Sequence, residues 1–66
     1  MRVRINGEPR EVPEGVTVAG LLDQLGVKAR RVAVEVNEAV VTKDRYAVHA
    51  LRIDDAVEIV AFVGGG

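Results

Sequence analysis

Alternating polar and apolar residues at the start of the chain predict a β-hairpin. Val3 and Ile5 lie on one side of an extended segment over residues 2–5, which is typical of a half-buried strand. Asn6-Gly7 follows, and these residue types tolerate the positive φ angles that a two-residue hairpin turn requires. The return strand, residues 8–12, contains a proline and three charged residues, so it is predicted at an edge of the sheet.

A helix is predicted over residues 17–25. Thr17 is a good N-cap, and Gly26 can adopt the left-handed conformation that ends many helices. Gly20 lies inside the helix, where we expect its missing Cβ to allow a close approach to the sheet. One apolar stripe with spacing i, i+3, i+4, i+7 runs along this segment: Val18, Leu21, Leu22 and Leu25.

Three further strands are predicted after the helix. Alternation is clear over residues 32–36, a short strand follows at 39–41, and the last strand covers 57–62. Residues 42–50 are predicted to be irregular or to form one helical turn, with Tyr46 as the anchor. Asp54-Asp55 is predicted to be a turn. This order of elements predicts a single α+β domain with one helix across one face of the sheet.

Size and composition limit the possible functions. The 66 residues contain only two aromatic residues, Tyr46 and Phe62, so a deep pocket and an enzyme active site are not expected. Nine basic and ten acidic residues are interspersed, which argues against a nucleic-acid or membrane-surface protein. The absence of cysteine and of an apolar leader at the start suits the cytoplasm. His49 has no recognisable nucleophile partner, and neither a metal site nor a bound cofactor is expected.

The most informative residues are the three glycines at positions 64–66. Glycine loses the most conformational entropy on ordering and has no side chain to pack, so these residues do not stabilise a fold. They directly follow an apolar strand and form a thin tether that can thread a narrow channel. A terminal carboxylate becomes reactive if a partner adenylylates it, since a sulfur nucleophile can then displace AMP. A frayed tail is the alternative interpretation.

The chain resembles the sulfur carrier proteins of thiazole formation in thiamine biosynthesis, which belong to the ubiquitin-like β-grasp family. The similarity runs from VRING at residues 3–7, through the helix, to VEIVAFVGGG at residues 57–66. An arginine before an aromatic residue within 41–46 is also similar. Two turns depart from the family pattern: Asn37-Glu38 replaces the frequent Asn-Gly, and Asp54-Asp55-Ala56 replaces Asp-Gly-Asp.

The resemblance implies a β-grasp domain over residues 1–63 and a glycine tail over residues 64–66. It implies a mixed sheet in which the first and last strands are parallel neighbours at the centre. It further implies that Gly66 is adenylylated and carries sulfur as a thiocarboxylate, that Gly65 completes the required glycine pair, and that Gly64 extends the tether. The protein would then be a carrier and not an enzyme.

The implied partners are an adenylyltransferase that uses ATP, a sulfur donor such as a cysteine desulfurase, and thiazole synthase as acceptor. Other acceptors of the same chemistry, molybdopterin or a thiolated tRNA base, remain open. A ubiquitin-like modifier or binding domain without sulfur chemistry is a further alternative.

A candidate docking patch lies next to the tail. If Val57, Ile59 and Ala61 face the helix, Val60 and Phe62 must face away from it. Exposed apolar residues beside a reactive tail are typical of a partner surface. We therefore predict that the docking patch, defined as Val60, Phe62 and Val63, contacts the adenylylating enzyme.

Overall fold

The computed structural model describes residues 1–62 of the chain. The predicted domain end at Val63 and the tail at Gly64–Gly66 lie outside the described residues. One helix, α1, covers Val18–Leu25, and two short 3₁₀ turns cover Ala29–Arg31 and Lys43–Arg45. The strands are β1 at Arg2–Ile5, β2 at Glu8–Glu11, β3 at Val32–Val36, β4 at Ala39–Val41 and β5 at Ala56–Ala61.

The strands form one mixed sheet in the order β2-β1-β5-β3-β4. β1 and β5 run parallel, with Ile5 level with Val57, and β5 is antiparallel to β3 on its other side. The expected central pairing of the first and last strands is confirmed. The prediction that β2 lies at an edge is also confirmed, and its Pro9 therefore interrupts no inner ladder.

The core lies between α1 and one face of the sheet. Leu21 and Val57 are fully buried and belong to the helix and the last strand respectively. Tyr46 is buried as the predicted anchor of the irregular segment, and this burial raises the pKa of its hydroxyl group above the usual value. The buried apolar residues form one cluster: Val3, Val12, Val18, Leu21, Leu22, Val32, Val34, Val36, Val41, Tyr46, Leu51 and Val57.

The ends of α1 follow the predicted signals. The Thr17 hydroxyl accepts a hydrogen bond of 3.1 Å from the Gly20 amide. Gly26 has a φ of 70°, and the Val27 amide donates to the Leu22 carbonyl at 2.9 Å, as in a Schellman ending. The expectation for Gly20 was wrong, because a Cβ there would meet Val16 Cγ2 at 3.1 Å and not the sheet.

Both hairpin turns use left-handed backbone at two successive residues. Asn6 and Gly7 have φ angles of 51° and 86°, and Asn37 and Glu38 have φ angles of 52° and 71°. The second turn therefore keeps the geometry of an Asn-Gly turn although Glu38 occupies the glycine position. A glutamate in this conformation is strained, because its Cβ crowds the backbone.

We expect Glu38→Gly to stabilise the domain. Glycine removes the left-handed strain, and after its larger entropy loss on folding the net gain is about 0.5–1 kcal/mol. Urea unfolding of the two proteins measures the difference. Glu38→Ala is the matched control, since it removes the same charge but keeps a Cβ. A gain equal to that of glycine in the alanine variant would contradict backbone strain as the cause.

Across residues 1–62, none of the helical segments has the length and apolar character needed to cross a bilayer.

Candidate functional site

The last strand presents an open face, defined as the face of the sheet opposite α1. Val60 is level with Ala33 of β3 on this face. Val60 and Phe62 have 59% and 57% of their surface exposed. Val57 of the same strand is fully buried in the core, so alternation along the strand places Val60 and Phe62 on the opposite face. Their predicted orientation away from the helix is confirmed. Exposure is a condition for docking, and the docking role itself stays a prediction.

Phe62 is held in place although it is exposed. Its amide donates to the Arg31 carbonyl at 2.9 Å, so hydrogen bonding to the β3 side continues just beyond the end of β5. The Lys43 ammonium lies 5.1 Å from the centre of the Phe62 ring and also donates to the Arg30 carbonyl at 3.3 Å. A cation over the face of an aromatic ring attracts the ring, and at an exposed site this attraction is weak. The ring is thus positioned, and it still offers an open surface to a partner.

Asn6 fixes the middle of β5 from the β1–β2 turn. Its side-chain oxygen accepts from the Ile59 amide at 2.8 Å, and its side-chain nitrogen donates to the Ile59 carbonyl at 3.1 Å. Its own amide donates to the Val57 carbonyl at 2.8 Å. The asparagine side chain therefore extends the hydrogen bonding between β1 and β5 by one residue beyond the end of β1.

Asn37 fixes the beginning of β5 from the β3–β4 turn. Its side-chain oxygen accepts from the Ala56 amide at 3.0 Å, and its side-chain nitrogen donates to the Asp55 carboxylate at 2.9 Å. The other Asp55 oxygen accepts from the Arg52 amide at 2.7 Å. Asp54-Asp55 is thus a structural turn, as predicted, with both Asp55 oxygens used within the fold. Two asparagines therefore hold the strand that leads into the tail.

We expect Asn6→Gly to lower the free energy of unfolding by about 1–2 kcal/mol. Glycine keeps the left-handed backbone but removes two side-chain hydrogen bonds to β5, each of which contributes about 0.5–1.5 kcal/mol. Urea unfolding measures the loss. Asp54→Gly is the matched control, because Asp54 has a φ of 67° and its side chain makes no hydrogen bond among residues 1–62. Equal behaviour of the two variants would show that the Asn6 bonds contribute nothing.

The remaining predicted site residues belong to the end of the chain. Val63, Gly64, Gly65 and Gly66 lie outside the described residues, so their roles stay predictions. Ala61, which was expected to face the helix, is level with the buried Val32 and is itself exposed.

The part of the chain that the structure describes gives little support for a catalytic histidine or a metal site. His49 is partly exposed, and its backbone carbonyl accepts from the Val18 amide at 3.0 Å. Within residues 1–62, histidine and carboxylate side chains form no cluster that could hold a metal ion.

The positioning residues Asn6, Asn37 and Lys43 were not predicted from the sequence. Their contacts join segments far apart in the chain, and no local pattern reports such contacts.

Comparison with known proteins gives consistent results. Residues 3–66 match the family model of the ThiS family. The chain is 41% identical over 64 residues to the sulfur carrier protein ThiS of Thermus thermophilus, covering 97% of this chain and 98% of that protein. A crystal structure of the thiamine biosynthesis protein ThiS from Geobacter metallireducens superposes with a TM-score of 0.86 at 36% identity, over the full length of both chains. The β-grasp fold is thereby confirmed.

A longer relative also matches the whole chain. The chain is 50% identical over 66 residues to a thiazole synthase of Paramagnetospirillum magneticum. The match covers all of this chain but only 20% of the thiazole synthase. A segment similar to the whole chain is thus part of a polypeptide about five times as long.

Proposed function

This chain belongs to the ThiS family, and we propose that it is a sulfur carrier protein whose Gly66 carboxyl group is converted to a thiocarboxylate. The observation that carries the proposal is the family match, which extends over residues 3–66 and so includes all three glycines. The Thermus thermophilus relative, which matches over nearly its full length, is a sulfur carrier protein. The described fold supports the proposal, because β5 is the last strand of the sheet and precedes the glycines in the chain.

The chemistry begins with activation of a poor electrophile. A carboxylate at neutral pH does not react with a sulfur nucleophile, because its negative charge opposes attack at the carbon. A partner adenylyltransferase joins one carboxylate oxygen of Gly66 to AMP from ATP and releases pyrophosphate. The terminal sulfur of a persulfide, formed on a donor such as a cysteine desulfurase, then attacks the carbonyl carbon and displaces AMP. A thiol reductant cleaves the resulting acyl disulfide and leaves the thiocarboxylate on Gly66. The carrier itself needs no bound cofactor for these steps, since the partners hold the reactive groups.

The carrier contributes presentation of the terminal carboxyl group. Gly64 and Gly65 add no side chains between the domain and Gly66, so a partner can close tightly around the backbone. The hydrogen bonds from Asn6 and Asn37 hold β5 at a fixed place in the sheet. The docking patch, which consists of Val60 and Phe62 on the open face together with Val63, would orient the partner relative to this strand. Positioning of this kind matters because a displacement of about 1 Å can slow a reaction about 100-fold.

Thiazole synthase is the proposed acceptor of the sulfur. Support comes from the Paramagnetospirillum magneticum thiazole synthase, in which a segment half identical to this chain is part of the same polypeptide. Sulfur transfer to molybdopterin or to a tRNA base would use the same thiocarboxylate, and a modifier role would instead form an isopeptide bond. We place the reaction in the cytoplasm, where small domains fold without disulfides, as this cysteine-free chain must.

Discharge of the carrier distinguishes these acceptors. The thiocarboxylate form is incubated separately with thiazole synthase and its remaining substrates, and with the large subunit of molybdopterin synthase. Intact-protein mass spectrometry then follows conversion back to the carboxylate. We expect rapid discharge only in the incubation with thiazole synthase and its substrates, accompanied by thiazole formation. Discharge only with the molybdopterin enzyme would reassign the acceptor, and attachment of Gly66 to lysine side chains would support a modifier.

A further inference from the structure

The Asn6-Gly7 turn carries a side-chain amide next to a main-chain nitrogen that can attack it. Asparagine is one of the thermally labile residues of proteins, and a following glycine has no Cβ to obstruct the attack. Both residues are exposed, and a Cβ built at Gly7 would meet no atom within 4 Å apart from its chain neighbours. Space and water are therefore available for an intramolecular reaction of this amide.

The fold holds the same amide away from the reaction. The Asn6 side-chain oxygen accepts from the Ile59 amide at 2.8 Å, and the side-chain nitrogen donates to the Ile59 carbonyl at 3.1 Å. The amide carbon cannot turn toward the Gly7 nitrogen unless these two bonds break. Both bonds are exposed and join the tip of a hairpin to β5, so they can open without unfolding of the core.

We propose that Asn6 is a site of spontaneous deamidation, and that its two hydrogen bonds to β5 set the rate of the reaction. The Gly7 nitrogen forms a bond to the Asn6 side-chain amide carbon and loses its proton, and the side-chain nitrogen leaves as ammonia. The resulting five-membered cyclic imide takes up one water molecule and opens at either of its carbonyl groups. The product is an aspartate, or an isoaspartate whose main chain runs through the former side chain.

Either product loosens the contact between the turn and β5. A carboxylate has no proton to donate, so the bond to the Ile59 carbonyl is lost and two oxygens face each other. The isoaspartate also lengthens the main chain of the turn by one carbon. Asn6 bonds the middle of the strand that precedes the glycines. Deamidation therefore weakens the anchoring of this strand, whether or not the glycines carry sulfur.

Asn37 provides an internal comparison. It occupies the same position in the second hairpin turn with a φ of 52°, close to the 51° of Asn6, and its side chain also bonds the backbone of β5. Glu38 follows it in place of a glycine, so a Cβ obstructs the attacking nitrogen. Asn6 and Asn37 are the two asparagines of the sequence, and fragment masses distinguish their reactions.

Deamidation is tested on the wild-type protein at neutral pH and physiological temperature over several weeks. Mass spectrometry of the intact protein and its fragments follows replacement of the side-chain NH₂ group by OH. We expect reaction at Asn6 and not at Asn37. The rate should be about 10- to 100-fold lower in the folded protein than in denaturing urea, because two ordinary hydrogen bonds must open first. Urea below the unfolding transition should not change the folded rate, because the opening is local.

Several results of this experiment would overturn the proposal. Equal rates in folded and unfolded protein would show that the bonds to Ile59 give no protection. Equal rates at Asn6 and Asn37 would remove the role of Gly7. A folded protein that does not react at Asn6, or reacts at a rate that rises with urea as global unfolding does, would exclude local opening at the turn.

The variant Asn6→Asp produces the first product directly. Its melting temperature should be about 5–10 °C below that of the wild type, because one hydrogen bond is lost and two oxygens face each other. Gln24→Glu is the matched control, since it makes the same amide-to-carboxylate change at an exposed residue of α1 and should shift the melting temperature less than half as much. Equal shifts, or no shift in Asn6→Asp, would contradict the loosening of β5.

Discussion

Gly65→Val is expected to abolish sulfur loading while leaving the fold unchanged, and one residue added after Gly66 should do the same. Valine restricts φ and places a branched Cβ where the adenylylating enzyme must close around the backbone. The added residue moves the reactive carbon out of register. Either change should reduce the loading rate by at least about 100-fold. Loading is measured by intact-protein mass spectrometry with ATP, the adenylyltransferase and a sulfur source.

Stability separates this effect from unfolding. Both variants leave the buried cluster of residues 1–62 unchanged, so their free energies of unfolding should stay within about 0.5 kcal/mol of the wild type. Gly65→Ala provides a graded control, because it adds a single methyl group and should load at an intermediate rate. Efficient loading of the extended protein without trimming would contradict a register-dependent reaction at Gly66.

Phe62→Ala is expected to weaken binding to the adenylyltransferase by about 10- to 100-fold, as loss of an aromatic anchor at an interface does. The fold should lose no more than about 1 kcal/mol, because the ring is 57% exposed and its contact with Lys43 is a weak cation–π interaction. Calorimetric titration gives the affinity, and urea unfolding gives the stability. The variant should therefore be folded but bind poorly.

Leu21→Ala is the matched control for Phe62→Ala. Leu21 is fully buried, so its truncation should cost about 2–5 kcal/mol, a large fraction of the stability of a domain of this size. If Phe62→Ala unfolds the domain as truncation of a buried phenylalanine would, by about 3–5 kcal/mol, its assignment to the docking patch is wrong. Unchanged affinity in a folded Phe62→Ala protein contradicts the docking role as well.

Local signals in the sequence were sufficient to predict most of the fold. Thr17 and Gly26 mark both ends of α1 because each has a conformational preference that a helix end requires. Asn6-Gly7 predicts its turn for the same reason. Strand alternation also oriented Val60 and Phe62 correctly, since side chains on a strand alternate between its two faces.

Contacts between distant residues could not be predicted in this way. Asn6 is 53 residues from Ile59 in the chain, and its amide could equally have bonded water. The expectation for Gly20 was wrong because a Cβ at this position would contact Val16, which lies one turn earlier in the chain and not in the sheet. The tail chemistry came from the family resemblance, since a glycine run alone does not distinguish a carrier from a frayed end.

The central claim is that Gly66 carries sulfur, and the mass of the charged protein tests it most directly. The wild-type protein is incubated with ATP, the adenylyltransferase and a sulfur source, and its intact mass and C-terminal fragments are then recorded. We predict a gain equal to the exchange of one oxygen for one sulfur, localised to the Gly66 carboxyl group and dependent on ATP. An unchanged mass with a competent activating enzyme, or sulfur located on any other residue, would contradict the account.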